Sequence, residues 1–220
     1  MTREVKQFAP EGKSVKTMIF SGLGCLRLLA TMAWMSLAAR AATSEVQFGP
    51  VRVDPERRAI SFPAQANQRV GAIEYLLVHE TGKVHESILK TAVGAQEIHG
   101  AALLFSEKGT NGSARLKVKT IEVSWMDEGK EKRVNAAELI FDKKNRRPLG
   151  NTKWAYRGSR LIDGVFLAQR DGSMIAIMED RDALIDQDTP DAADDENWEP
   201  VSERVPALGT QVLVRVVFAK

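Results

Sequence analysis

Three neighbouring residues, His85, Glu86 and Ser87, have the side-chain types used in acid–base and nucleophilic catalysis. A serine nucleophile needs a base beside it, and a histidine base needs a third group to orient it. His85 and Ser87 are two residues apart, so on a strand they point to the same face. No orienting residue lies near them in sequence. A hydrolase-like enzyme is therefore the alternative interpretation, and a strand with a structural role is the main one.

Segments 73–78 and 84–89 flank Glu80-Thr81-Gly82-Lys83, which predicts a β-hairpin. A symmetric register would place Glu86 near His79, on a face shared with Tyr75, Leu77, Val84 and Ile88. A carboxylate among apolar side chains needs a cation or several donors. We expect His79, or a distant arginine such as Arg157 or Arg160, to be its partner, and His79 is therefore a fourth catalytic candidate. Loss of Glu86 should then cost about 1–3 kcal/mol.

The same register places His79 and His85 on opposite faces, which argues against a two-histidine zinc site. Segment 179–199 has ten acidic residues and one basic residue. Asp186, Asp188 and Asp191 are its candidate calcium ligands, because calcium prefers several oxygen ligands. Pro190 occupies the place of the third ligand of an EF-hand loop and no glycine follows, so an open acidic loop is the main expectation.

Other chemical signatures are missing from the sequence. It has no Gly-rich phosphate loop, no H-E-x-x-H and no G-x-S-x-G. The basic cluster 143–147 is not interleaved with aromatic residues, so we expect an exposed turn rather than a nucleic-acid site. The sequence predicts no cofactor.

The N-terminal 41 residues have the features of a secretory signal peptide. A polar, basic start precedes an apolar stretch from Met18 to Leu37, interrupted by Arg27, and Ala39-x-Ala41 fits the cleavage motif. We expect cleavage after Ala41. An uncleaved anchor is one alternative, although Arg27 shortens the apolar run. Lipidation at Cys25 is another, but the aliphatic residue required three positions earlier is a glycine.

Removal of this leader changes the composition. It takes away six of the 31 basic residues, two of the 29 acidic residues and the single cysteine. The mature chain, residues 42–220, has a net charge of −2 and cannot form a disulfide. We expect a periplasmic or secreted protein with no membrane span after cleavage, held together by its hydrophobic core.

Period-two patterns predict mainly short antiparallel strands. Hairpins are expected around the turns at 54–56, 80–83, 128–129 and 171–172, and Val212, Val214, Val216 and Phe218 mark a final strand. A shift of phase near Thr120 indicates a β-bulge. Segment 95–106 has helical spacing, and Asn135 with Glu138 resembles a capping box. The prediction is one α+β domain dominated by strands, with two short helices.

Several segments resemble the YdjY-like domain of exported bacterial proteins. The most specific is Gly82-Lys-Val-His-Glu-Ser87, and others are Trp154-Ala-Tyr-Arg-Gly-Ser159 and Asp163-Gly-Val-Phe-Leu-Ala168. The resemblance extends over about residues 51–218. It implies a domain of unknown function and supplies no catalytic residues. Some members are described as ferredoxin-like, but a mature chain without cysteine cannot hold an iron–sulfur cluster.

These observations favour an exported binding or envelope-associated module over an enzyme. Its partner would be a small ligand or an envelope component.

Overall fold

The computed structural model describes residues 46–108 and 114–220. The predicted signal peptide lies outside these residues. The first nine strands are β1 (Val46–Phe48), β2 (Val51–Asp54), β3 (Ala59–Ala66), β4 (Tyr75–His79), β5 (Ser87–Thr91), β6 (Glu107–Lys108), β7 (Ala114–Arg115), β8 (Val118–Asp127) and β9 (Lys130–Asn135). The next nine are β10 (Ile140–Asp142), β11 (Arg147–Pro148), β12 (Trp154–Tyr156), β13 (Leu161–Ile162), β14 (Val165–Phe166), β15 (Ser173–Ala176), β16 (Ile185–Gln187), β17 (Trp198–Pro200) and β18 (Gln211–Phe218). Two α-helices are described, α1 (Ala95–Leu103) and α2 (Leu167–Asp171).

Most strands belong to one large mixed sheet. Its order is β12-β16-β15-β4-β5-β3-β18-β8-β9, with β1 and β2 added beside β3. The sheet closes on itself, because Lys117, just before β8, forms an antiparallel bridge with Ala155 of β12. The enclosed core receives alternate residues of β18, namely Val212, Val214, Val216 and Phe218. The β-dominated prediction is confirmed, although the sheet is not purely antiparallel.

Several local predictions are confirmed. Strands β2 and β3 form an antiparallel hairpin, as expected. Strands β8 and β9 form a second one, whose turn consists of Glu128 and Gly129. Both turn residues have positive φ, as a tight hairpin turn requires. The register of β8 against β18 shifts between Val217 and Phe218, opposite Thr120, where a bulge was expected.

The predicted hairpin at 80–83 is wrong, because β4 and β5 pair in parallel. The link between them returns along β4 and ends in a short 3-10 helix, Val84–Glu86. In this link, the backbone of Gly82 lies close to the backbone of Gly172. A Cβ on Gly82 would lie 2.9 Å from the carbonyl oxygen of Asp171. The parallel pairing places Glu86 at the start of β4, beside Glu74, and His79 at its other end, opposite Thr91.

Two helix and turn predictions are also wrong. The hairpin expected at 171–172 is absent from the described structure, because 167–171 forms α2 and Gly172, with φ of 73°, ends that helix in the left-handed conformation. The helix expected after Asn135 is a single 3-10 turn, Ala136–Leu139. Asn135 caps it by accepting a hydrogen bond from the Ala137 N–H, as its residue type suggests. Helix α1 appears where it was expected.

The acidic segment 179–199 is not an open loop. It contains β16, two 3-10 helices (Pro190–Ala193 and Asp195–Asn197) and the start of β17. Asp186, Asn197 and Trp198 are buried within it. No helix among the described residues is long and apolar enough to span a membrane.

Candidate functional site

An arginine held by a fully buried aspartate lies at the centre of the candidate site. The Nε of Arg157 donates to both carboxylate oxygens of Asp186, at 2.8 and 3.0 Å. The Asp186 side chain is 0% exposed, whereas that of Arg157 is 39% exposed. Burial opposes the charge of Arg157, but its hydrogen bonds to Asp186 raise its pKa above the ordinary value. The guanidinium is thus a permanently charged group in a fixed position.

Arg157 lies in two adjoining clefts, of about 300 and 340 Å³, which share Arg157 and Glu179 as walls. We call them together the Arg157 cleft. Its other polar lining residues are Ser159, Arg160, Arg181, Gln187, Asp188 and Thr189. Clefts of this volume accommodate small molecules.

The backbone after β12 fixes the position of Arg157. The N–H groups of Arg157 and Gly158 both donate to the carbonyl oxygen of Leu184, at 2.9 and 3.0 Å. Gly158 has φ of 72°, and a Cβ there would lie 3.2 Å from the ring of His99. A glycine is therefore needed where the chain bends between Arg157 and the ring of His99.

The loop before β16 supports the same site through Asp180. Its side chain accepts a 3.0 Å hydrogen bond from the hydroxyl of Tyr75 and a 2.8 Å hydrogen bond from the backbone N–H of Asp182. Burial and the nearby Asp180 raise the pKa of Tyr75 to about 12, so this hydroxyl stays a donor. Asp182 accepts two bonds from Arg160, at 2.5 and 3.0 Å. The loop therefore connects β4 to the Arg157 cleft.

One polar group in the wall of the cleft is left partly unsatisfied. The Gln187 side chain donates from Nε2 to the Thr189 hydroxyl at 2.6 Å. Its Oε1 is buried and has no hydrogen-bond partner among the described residues. Gln187 is only 2% exposed, and a buried polar atom without a partner costs about 1–3 kcal/mol. Gln187 is also one of the residues that line the cleft.

The catalytic candidates are not assembled as a nucleophile and its base. The hydroxyl of Ser87 is buried and donates to the carbonyl oxygen of Leu89 at 2.7 Å. The His85 side chain is 75% exposed, and its Nε2 lies 3.1 Å from Oε1 of Glu86. No hydrogen bond connects His85 to Ser87 within the described part of the chain.

Glu86 has different partners from those expected. His79 is bonded to the Thr81 hydroxyl at 2.7 Å and lies at the far end of β4. Lys83 instead approaches Glu86 at 4.0 Å and Glu74 at 3.5 Å. Burial and the neighbouring Glu86 raise the pKa of Glu74 above its ordinary value, against the attraction of Lys83. The result is a cluster of two carboxylates around one lysine.

The three calcium candidates have basic partners. Asp186 and Asp188 both bind Arg157, and Asp191 lies 3.3 Å from Nζ of Lys144. The described residues contain no group of three acidic, histidine or cysteine side chains arranged to hold a metal ion. The acids of this segment mainly neutralise arginines and lysines.

The pairing of Arg157 with Asp186 was not predicted from the sequence. One signal was present: Asp186 directly follows the apolar run Ala183-Leu-Ile185 and is followed by an uncharged glutamine. An acid embedded in an apolar strand needs a partner. Arg157 was named only as a distant partner for Glu86.

The comparisons with known proteins agree with the resemblance. The family model of the YdjY domain matches residues 51–217, which include every residue of the Arg157 cleft. Searches of curated proteins and of solved structures found no match. The chain belongs to the YdjY domain family.

Proposed function

We propose that this protein is an exported, non-catalytic binding module that holds a small polar ligand in the Arg157 cleft. The observation that carries this proposal is the buried amide of Gln187, which has an atom without a partner in the wall of a cleft. A protein that only needed a stable strand at this position would gain by replacing the amide with an apolar side chain.

The fixed position of Arg157 supports the same role. Because Asp186 binds its Nε, the outer edge of the guanidinium remains directed away from the buried carboxylate. A side chain ordered before the ligand arrives loses less conformational entropy on binding. The wall thus combines a preorganised cation with a polar group that lacks a partner.

The proposed export rests on the leader alone. Its basic start, short apolar core and Ala39-x-Ala41 motif support secretion to the periplasm or beyond. The test is expression of the full chain with a C-terminal tag, followed by fractionation and N-terminal sequencing. We expect the periplasmic protein to begin at Ala42. A mature chain that retains residues before Arg27 would favour a membrane anchor.

Native mass spectrometry tests the binding function. The wild-type protein, purified gently from the periplasm, should carry a small-molecule adduct. Gln187→Leu keeps a similar volume and removes the unsatisfied amide, so it should melt at the same or a higher temperature and lose the adduct. Gln65→Leu, on β3, is the matched control and should keep it. An adduct retained by Gln187→Leu, or missing from the wild type, would contradict the proposal.

A further inference from the structure

We propose that the ligand of the Arg157 cleft is a small zwitterion, a free amino acid or a short peptide, whose carboxylate binds Arg157 and whose ammonium group binds Glu179. This inference rests on the proposed binding function and names its ligand class.

Arg157 is equipped to bind a carboxylate. Asp186 occupies its Nε, and Asp188 contacts Nη2 at 3.3 Å. Its Nη1 makes no hydrogen bond within the described residues, although the side chain lines both parts of the cleft. Guanidinium groups bind carboxylates through charge-assisted hydrogen bonds.

Glu179 is the matching acceptor for an ammonium group. It lines both parts of the cleft together with Arg157, yet these two residues form no ion pair in the described structure. Glu179 is paired with Arg181 at 3.5 Å, and the Arg181 side chain is 78% exposed. Such an exposed pair is weak, so an ammonium group can share or replace it. A cation and an anion that face one cleft without pairing suit a ligand that bears both charges.

The charge balance argues against a purely anionic ligand such as phosphate. Three arginines surround the cleft, Arg157, Arg160 and Arg181. Four carboxylates pair with them, those of Glu179, Asp182, Asp186 and Asp188. The site therefore carries no excess positive charge that would retain a multiply charged anion. The Gln187 amide adds one neutral hydrogen-bonding group for the ligand.

The test is calorimetric titration of the mature protein with each common L-amino acid and with L-alanyl-L-alanine. For the tightest amino acid, the N-acetyl derivative lacks the ammonium group and the amide derivative lacks the carboxylate. We expect both derivatives to bind at least about tenfold more weakly, because each loses one charge-assisted contact. Inorganic phosphate should not bind.

Two variants locate the ammonium contact. Glu179→Gln should weaken the zwitterion about tenfold and leave the affinity for the N-acetyl derivative unchanged. Glu196→Gln, an exposed acid of the same segment, is the matched control and should change neither affinity. Equal binding of zwitterion and N-acetyl derivative, or no effect of Glu179→Gln, would overturn the inference. If mass spectrometry shows a retained ligand and no amino acid or dipeptide binds, the ligand class is wrong and the binding function stands. If neither experiment shows a ligand, both are wrong.

Discussion

The carboxylate of Asp186 binds the Nε of Arg157 with both of its oxygens, at 2.8 and 3.0 Å, from a fully buried position in β16. The two residues are 29 positions apart and lie on strands, or directly after strands, that pair with each other. This pair holds a charged group at the wall of a cleft and at the same time satisfies a buried acid. Stability and the proposed binding therefore depend on the same contact.

Asp186→Asn should destabilise the protein by about 1–3 kcal/mol, because it removes the charge that balances Arg157 in a partly buried setting. Asp182→Asn is the matched control, since it breaks a two-bond pair with Arg160 in which the aspartate is 25% exposed instead of fully buried. That change should cost less than about 1 kcal/mol. Denaturant unfolding of both variants measures the difference. Equal losses would show that burial of Asp186 does not set the strength of its pair.

Gly82→Ala should be clearly destabilising, because the new Cβ would lie 2.9 Å from the backbone oxygen of Asp171, which cannot move freely. We expect a loss of about 1–3 kcal/mol, the usual range for overpacking. Gly100→Ala in α1 introduces a similar contact, but with the ring of Phe48, which is exposed and free to move. That variant should be nearly neutral or stabilising, since alanine favours helix. Thermal unfolding compares the two. A neutral Gly82→Ala would contradict the close passage of Gly82 and Gly172.

Glu74→Gln should change how stability depends on pH. Burial and Glu86 raise the pKa of Glu74 in the folded protein, so its carboxyl favours folding while it is protonated. That contribution is present below the unfolded pKa and is lost as pH rises through the raised, folded pKa. The variant, which cannot ionise, should therefore gain stability relative to the wild type as pH rises above 4.5, the ordinary pKa of a glutamate.

The measurement is the free energy of unfolding at several pH values across this range. Glu56→Gln, at an exposed position in the β2–β3 turn, is measured in parallel. An equal gain in both variants would show that the carboxylate cluster around Lys83 is not the cause.

Ser87→Ala and His85→Ala separate structural from catalytic roles at this strand. The Ser87 hydroxyl is buried and donates to Leu89, so its loss should cost about 1 kcal/mol. The largely exposed His85 should be replaceable at almost no cost in stability. Neither change should alter the small-molecule adduct, because neither side chain lines the Arg157 cleft. Loss of the adduct in both variants at normal stability would instead support the hydrolase-like interpretation.

Strands with one face in the core were predictable from sequence, as β18 shows. Its buried residues Val212, Val214 and Val216 alternate with exposed or half-exposed ones, because successive side chains point to opposite faces. The parallel pairing of β4 and β5 was not predictable in this way. Their seven-residue link contains a Gly-containing turn pattern, and local sequence does not reveal that the chain runs back along β4 before pairing.

The candidate site depended on contacts between distant segments. All three residues of β16 are buried, since both faces of the strand are covered, so alternation gave no sign of it. The high acid content around β16 favoured a solvated loop. Asp186 is buried there because Arg157, from another segment, pairs with its carboxylate. No sequence pattern indicated Gln187. It stands out only because its buried Oε1 has no hydrogen-bond partner among the described residues.

The most direct test of the proposed site is an NMR titration of residues 42–220, the proposed mature protein, with a deproteinised small-molecule extract of the periplasm, its proposed compartment. The Nε–H signal of Arg157 and the side-chain amide signals of Gln187 report on the cleft, and the backbone amides of residues 85–87 report on the alternative strand. Binding in the cleft predicts that the Arg157 and Gln187 signals shift while those of residues 85–87 stay in place. Unchanged Arg157 and Gln187 signals, or shifts confined to residues 85–87, would contradict the proposed site.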